Sequence, residues 1–311
     1  MDVTMGQLRA LRELARRGTM AAAADALGYT TGAVSQQLAN LEKTTGRTLT
    51  TKSGRRVQLT RSGMILAEHA EHVLQAEADL RGALEADEQD VAGPIRIGTF
   101  ATTASALLVP TIAEASKRYP KVTITSREFG VDETAAAVRD GEVDIALGID
   151  YSHAPMPRDP RTELVRLHTE RFGLAVTANL YTPGATPLDA ARDWRWILPP
   201  AATQYARALY AACRLSGFEP QVAHEVTDTR TSLELAAQGL GVAPMTDLME
   251  ELLRPDGLRK IELEERIERH IVLVRRTQPT QPAAVAAVTD LFAEVVREAR
   301  EQTDSDTGAE P

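Results

Sequence analysis

Cysteine is nearly missing from the 311 residues of this sequence, with Cys213 the one example. A single thiol excludes an intramolecular disulfide, a multi-thiolate metal site and a two-cysteine redox switch. Long apolar runs are missing as well. No stretch approaches the roughly 20 apolar residues of a membrane-spanning helix, and the uncharged segment from Ile97 to Ala113 is interrupted by threonines and Pro110. The opening residues Met1-Asp2-Val3-Thr4 lack a basic region followed by an apolar one. Export is therefore not expected, and a reducing cytoplasm is the expected compartment. Nor does a catalytic set emerge. There is no Gly-Lys-Ser/Thr phosphate loop and no Gly-x-Ser-x-Gly nucleophile elbow. The histidines His69, His72, His153, His168, His224 and His270 are scattered, and only His69 and His72 have helical spacing. Without a third ligand near them a structural role is expected, so no metal, no cofactor and no enzyme activity are predicted.

The composition present fits a soluble globular protein, with 43% hydrophobic and 25% charged residues. The length exceeds the roughly 150 residues of one typical domain, so at least two compact units are expected. The net charge of -9 is unevenly spread. Met1 to Ser62 holds ten basic and four acidic residues, while the remainder holds 25 basic and 40 acidic ones. A basic head on an acidic body predicts an amino-terminal module that meets a polyanion.

That head reads as a run of helices. Thr4 can cap the first, with Gln7 as its capping-box partner. Leu8, Leu11, Leu14 and Ala15 follow at helical spacing, and Gly18 ends it. Thr19 can cap a short alanine-rich helix from Met20 to Leu27, and Gly28-Tyr29 makes a tight connection. Thr30 can then cap a third helix, with Ala33, Val34, Leu38 and Leu41 inside and Ser35, Gln36, Gln37 and Asn40 outside. A short helix, a glycine-containing turn and a polar-faced helix form a helix-turn-helix. Such a helix fits the major groove of DNA, where Gln and Ser can both donate to and accept from base edges. Beyond it, Arg56-Val57-Gln58-Leu59 alternates like a strand and Ser53-Gly54 is turn chemistry. This small wing would place Lys52, Arg55 and Arg56 against phosphates.

These segments resemble the LysR-type transcriptional regulators. The resemblance is carried in order by Ala22-Ala23-Ala24-Asp25-Ala26-Leu27-Gly28, by Ala33 through Glu42, and by Gly46, Leu49, Gly54-Arg55, Leu59-Thr60 and Gly63. It implies a winged helix-turn-helix, with base or phosphate contact on Thr30, Thr31, Ser35, Gln36, Gln37 and Arg55. Two positions depart from the family pattern. Gly32 stands where proline is common, which would loosen the start of the third helix. Thr50 replaces a bulky apolar residue, which would leave the wing less firmly packed.

Thr60 can cap a long helix towards Asp87. Leu66, Val73 and Leu80 repeat every seven residues, with Ala70, Glu77 and Leu84 beside them. Such a stripe needs a partner, either a second copy or another face of the same chain. The resemblance favours a dimer through this helix and a tetramer beyond it, and two recognition helices could then address paired half-sites on double-stranded DNA.

Val91-Ala92-Gly93-Pro94 breaks the helix. Strands and helices then alternate, which predicts helices on both faces of a mainly parallel sheet. The strands expected are Ile95–Gly98, Val122–Thr125, Val143–Gly148, Phe172–Val176, Trp194–Leu198, Val222–Val226, Gly241–Pro244 and His270–Arg275. The helices expected are Ser105–Tyr119, Thr134–Arg139, Ala206–Leu215, Ser232–Gln238 and Ala284–Arg300. This half resembles the two-lobed, periplasmic-binding-protein-like (type 2) effector domain of the same family. The carriers are Ile95-Arg96-Ile97-Gly98, Leu107-Leu108-Val109-Pro110, Tyr119-Pro120, Gly141 through Ala146 and Ala237 through Ala243. The expected organisation is thus an all-α winged helix-turn-helix (1–60) and a linker helix (61–90), then an α/β domain (91–300). Lobe one would hold 94–165 and 270–300, lobe two 166–269, and 301–311 would be a disordered tail.

A cleft between lobes suits a small molecule, and helix starts facing it favour anions. The effector is expected to be anionic on that ground. By position its contacts would be Thr102, Thr103, Phe129, Gly130, Thr203, Gln204, Thr229 and Arg230, with Arg127 or Arg230 available to a carboxylate. Each has a plain alternative: Thr102 or Thr103 as a cap, Phe129 as core, Thr229 and Arg230 as the entrance of a helix capped by Thr231 with Glu234. A competing reading is an enzyme or carrier built on the two-lobed fold, its basic head serving assembly alone.

Overall fold

The computed structural model describes the chain except for Met1 and residues 54–55, 88–90, 101–102 and 308–311. Arg55, expected at phosphate, and Thr102, expected at the effector, therefore lie outside the described residues. Two compact units emerge, one covering 1–89 and the other most of the remaining chain.

In the first unit, local hydrogen bonding sets the helix ends. The Thr4 hydroxyl accepts from the Gln7 N–H while the Gln7 side chain accepts from the Thr4 N–H, a reciprocal cap that starts α1 (Met5–Arg17). Thr19 caps α2 (Met20–Leu27), and Gly28 at φ 64° closes it, a left-handed turn that costs glycine little. The Thr30 hydroxyl accepts from the Ala33 N–H at 3.2 Å and starts α3 (Thr31–Thr45). Leu11, Leu14, Ala23, Ala24, Val34, Leu38 and Leu41 form one core among these helices. Burying each leucine contributes about 1.5–3 kcal/mol, which holds the helix pair at a fixed angle. Ala33, expected on the inner side, is exposed; it lies in the first turn of α3, before the core-facing residues begin.

The wing is a hairpin. Strands β1 (Thr50–Ser53) and β2 (Arg56–Leu59) pair antiparallel, from Thr50 opposite Leu59 to Ser53 opposite Arg56. Thr50 does not loosen it. Glu42 Oε1 accepts from the Leu49 N–H at 2.7 Å and the Thr50 N–H at 2.9 Å, and the Thr50 hydroxyl donates to the same oxygen. A polar clamp replaces the apolar contact. Gly32 is likewise offset by the Thr30 cap just before it.

Helix α4 (Arg61–Asp87) has two apolar faces. Ala70 and Leu74 pack on Leu8 of α1, and Arg9 pairs with Glu77 at 2.8 Å. Glu77, which interrupts the heptad stripe, is thus a partner for α1. Val73 and Leu80 remain 43% and 62% exposed.

The second unit is α/β. Lobe one carries a five-stranded sheet in the order β4-β3-β5-β12-β6. Its strands are β3 (Gly93–Thr99), β4 (Val122–Glu128), β5 (Ile145–Tyr151), β6 (Thr162–Arg171) and β12 (Glu268–Arg276). β4, β3 and β5 run parallel, and β12 lies antiparallel between β5 and β6. Val109–Arg118 (α5), entered through a π-turn at Ala104–Leu108, covers the sheet with Thr134–Arg139 (α6) and the closing helix α10 (Ala283–Thr307). Pro110 sits in the first turn of α5, directly after the π-turn.

Lobe two holds β7 (Gly173–Thr177), β8 (Arg195–Leu198), β9 (Gln221–Glu225), β10 (Ala243–Met245) and β11 (Leu258–Ile261), with α7 (Gln204–Leu215), α8 (Thr229–Ala237) and α9 (Asp247–Leu253). Of these strands, β8 and β9 pair parallel, whereas β7 runs antiparallel to both β10 and β11. The mainly parallel expectation holds for β9, β8 and the segment entering β10, where Trp196 and Val242 bridge in parallel, and fails at β7, which enters directly from the other lobe without a crossover helix. The lobes exchange chain at Phe172 and Ile267, where the Phe172 N–H donates to the Ile267 carbonyl. β6 and β12 thus belong to lobe one over their full lengths, beyond the 165 and 270 boundaries expected. β6, α9 and β11 are additions to the sequence reading, and α10 runs on to Thr307, into the tail expected to lack structure.

Candidate nucleic-acid interface and inter-lobe cavity

In the first unit, burial of Val34, Leu38 and Leu41 turns the opposite side of α3 outward. Thr31, Ser35, Gln36, Ala39 and Asn40 are exposed, and Gln37 is half-buried beside Gly6. The Gln36 amide donates to Asn40 Oδ1 at 3.0 Å, which aligns two amide side chains along one polar face. Thr30 is exposed too, but its hydroxyl already serves the cap. Lys52 and Arg56 stand on the paired wing strands, Lys52 opposite Val57 and Arg56 opposite Ser53.

The basic count of this unit overstates its free charge. Glu13 is buried and accepts from Arg12 and Arg17, with Arg16 at 3.6 Å. Burial pushes its carboxyl up, yet the three guanidinium groups outweigh burial and hold it below the usual range. Arg12, Arg16 and Arg17 are therefore internal partners of α1.

In the second unit, a cavity of about 770 Å³ opens between the lobes. Its walls come from the carboxyl ends of β3, β4 and β5, which place Phe100, Phe129 and Tyr151, and from the starts of α7 and α8. Ligands collect at strand ends in such sheets because the loops there are free to vary. Phe129, Gly130, Thr203 and Thr229 line it, as expected from sequence. The other expected contacts stand elsewhere. Thr103 is buried and its hydroxyl donates to the Phe100 carbonyl at 2.9 Å. Arg230 is exposed and not part of the wall, and Gln204 presents its backbone N–H to Asp132 at 3.0 Å. Arg127 is spent on Glu142 at 2.8 Å and lies over the Phe129 ring.

The wall also contains Tyr151, Tyr205, Asp132 and Arg269, to which the sequence reading does not point. Tyr151 ends a strand that is legible in the sequence, so the strand-end rule could have found it. Tyr151, Phe172 and Tyr205 stack, with Tyr151 and Tyr205 5.7 Å apart and 8° from parallel. Burial pushes both tyrosine hydroxyls well above their ordinary value, so they act as neutral hydrogen-bonding groups. Beneath them Arg269 pairs with Glu170 at 2.7 Å, both almost fully buried. Glu170 also accepts from the Leu248 N–H, and Arg269 donates to the Thr246 hydroxyl. Burial raises the Glu170 carboxyl, and Arg269 with these donors overrides it, leaving it lowered. Glu170 and Arg269 are neighbours across β6 and β12, next to Tyr151 on β5. The pair thus fastens the strand ends of lobe one to the start of α9 in lobe two.

Cys213 is fully buried, and burial pushes its thiol up to about 12, the reverse of a reactive thiolate. Among the described residues no cluster of three or more potential ligands could hold a metal ion, and no helix is long and apolar enough to cross a membrane.

Comparison with known proteins agrees with this architecture. The model of the LysR substrate binding domain matches residues 88–297, and that of the bacterial regulatory helix-turn-helix protein, lysR family, matches residues 5–64. YcgK, an HTH-type transcriptional regulator of Bacillus subtilis, is 26% identical over 324 aligned positions, covering 97% of this chain and 96% of its own. A full-length OxyR variant from Pseudomonas aeruginosa shares the fold with a TM-score of 0.72 at 19% identity, over 96% of this chain and 95% of that one. CbnR, solved in complex with its target DNA, does so with a TM-score of 0.55 at 22% identity, over 94% and 99%. Matched by both family models, the chain belongs to the LysR family and is a LysR-type transcriptional regulator, with a helix-turn-helix for DNA and a two-lobed domain for an effector.

Proposed function

We propose that α3 enters the major groove of promoter DNA with Thr31, Ser35, Gln36 and Gln37 towards the base edges. Lys52, Arg55 and Arg56 of the wing neutralise phosphates, and Thr30 serves mainly as the cap that fixes the start of the helix. The observation that carries this reading is the division of α3 into a buried apolar side and an outward polar one within a capped helix-turn-helix core. A second copy pairs through the exposed Val73 and Leu80 stripe of α4, which brings two recognition helices to half-sites about one helical turn apart. Pairs of such dimers give a tetramer. A small molecule held between the lobes, against Phe129, Gly130, Thr203 and Thr229, biases the assembly between two DNA-bound arrangements. The chain performs no catalysis and works in the cytoplasm, where the chromosome is.

Fluorescence anisotropy with a promoter fragment beside the protein's own gene tests this. Binding should weaken steeply as salt rises, because each neutralised phosphate releases a counterion. Arg55→Ala should lower affinity for all DNA and reduce the salt slope by about 1. A slope unchanged in that variant would remove the wing from the interface.

A further inference from the structure

The inter-lobe cavity has a charge opposite to that expected of an anion site. We propose that its ligand is an organic cation with an apolar body, an alkyl or aryl ammonium ion, rather than a carboxylate. This rests on the reading of the cavity as the effector site.

An anion entering the cavity would need N–H groups or a free cation. The helix starts that face it are already occupied by this chain's own carboxylates. Asp132, from lobe one, accepts from the Gln204 N–H at the start of α7 in lobe two. Asp228 accepts from the Thr231 N–H and hydroxyl at the start of α8. Glu133 accepts from the Gly130 N–H. Arg269 is the one cation of the wall among the described residues, and Glu170 and Thr246 hold it. Glu128, also in the wall, has no ion pair or side-chain hydrogen bond among the described residues. The field in the cavity is therefore that of carboxylates, which attracts cations and repels anions.

The apolar walls point the same way. Phe100, Phe129, Tyr151 and Tyr205 present aromatic surface, which suits the apolar body of the ligand. Tyr151 adds an independent feature. It is 2% exposed, lines the cavity, and its hydroxyl has no hydrogen-bond partner among the described residues. The hydroxyl opens onto the cavity and can accept from an ammonium N–H.

The test is calorimetric titration of the full-length protein with three matched probes: phenethylamine, phenethyl alcohol and hydrocinnamate. The amine should bind at least about tenfold more tightly than the carboxylate, with the alcohol between them. Glu128→Gln should weaken the amine several-fold and leave the alcohol unchanged. Hydrocinnamate binding as tightly as the amine, equal losses for amine and alcohol in Glu128→Gln, or no binding of any probe at millimolar concentration would each overturn the proposal. Promoter binding measured with and without the amine separates the two readings. An amine that occupies the cavity but leaves promoter affinity and footprint unchanged would contradict the effector role and leave the ligand class standing.

Discussion

A carboxylate removed from water survives as an anion only where cations and N–H donors replace the lost hydration. Glu13 and Glu170 meet that condition in different units, Glu13 among three arginines and Glu170 beneath the cavity with Arg269. Both carboxyls are held below their ordinary range. Their stabilisation is therefore fully present above the unfolded value of about 4.3, and it is lost as pH falls through the folded values. Thermal melting between about pH 7 and about pH 3 should show the melting temperature falling in that lower window. Glu170→Gln should cost about 3–5 kcal/mol in urea unfolding at neutral pH, because Arg269 is left buried without its counter-charge. A loss below about 1 kcal/mol would mean water reaches the pair. Gly63 is a second residue with a single tolerated identity. A Cβ there would lie 2.1 Å from the Leu49 carbonyl oxygen. Gly63→Ala should destabilise the first unit by about 1–3 kcal/mol or more, read as a lowered urea midpoint with promoter binding lost in parallel. The need for glycine was visible in the sequence only as part of a motif; the close approach of α4 to the base of the wing supplies the reason.

Elements differ in how openly the sequence announces them. α1, α2 and α3 carry threonine caps, terminal glycines and leucines at helical spacing, so their bounds could be read almost residue by residue. β6 could not. Thr162 to Arg171 is an edge strand, half-buried along most of its length, and its charged residues with the three prolines before it conceal the alternation. α9 and β11 are short, and short elements owe their form to tertiary packing more than to local propensity. The heptad of α4 was legible as a stripe, but its division was not. Glu77 interrupts the stripe because it serves Arg9, and Ala70 faces α1. The residues left outward, Val73 and Leu80, are the surface we propose for a second copy. Leu80→Asp would place two carboxylates in that seam. Sedimentation should then show smaller species at micromolar concentration, while the circular dichroism spectrum is retained. An assembly state unchanged in Leu80→Asp would move the interface elsewhere.

For the molecule as a whole, the order of units followed from the basic head, the long helix and the alternation beyond it. The candidate site in the first unit was equally plain, since a helix with one apolar side announces its polar side. The cavity was half legible. Strand ends and helix starts named Phe129, Gly130, Thr203 and Thr229. The residues that give it its charge and aromatic character come from distant parts of the chain: Asp132 reaching α7, Tyr205 stacking on Tyr151, Arg269 aligned with Glu170. No local spacing encodes such meetings, and the arginines that sequence offered to a ligand, Arg127 and Arg230, stand away from the wall. In the function proposed, the outward face of α3 reads DNA sequence. This is tested most directly by measuring the affinity of wild-type protein and Gln36→Ala for promoter and for random DNA at one salt concentration. Gln36→Ala should lose about 1–3 kcal/mol on the promoter alone. Equal losses on both DNAs, or no loss on either, would contradict it.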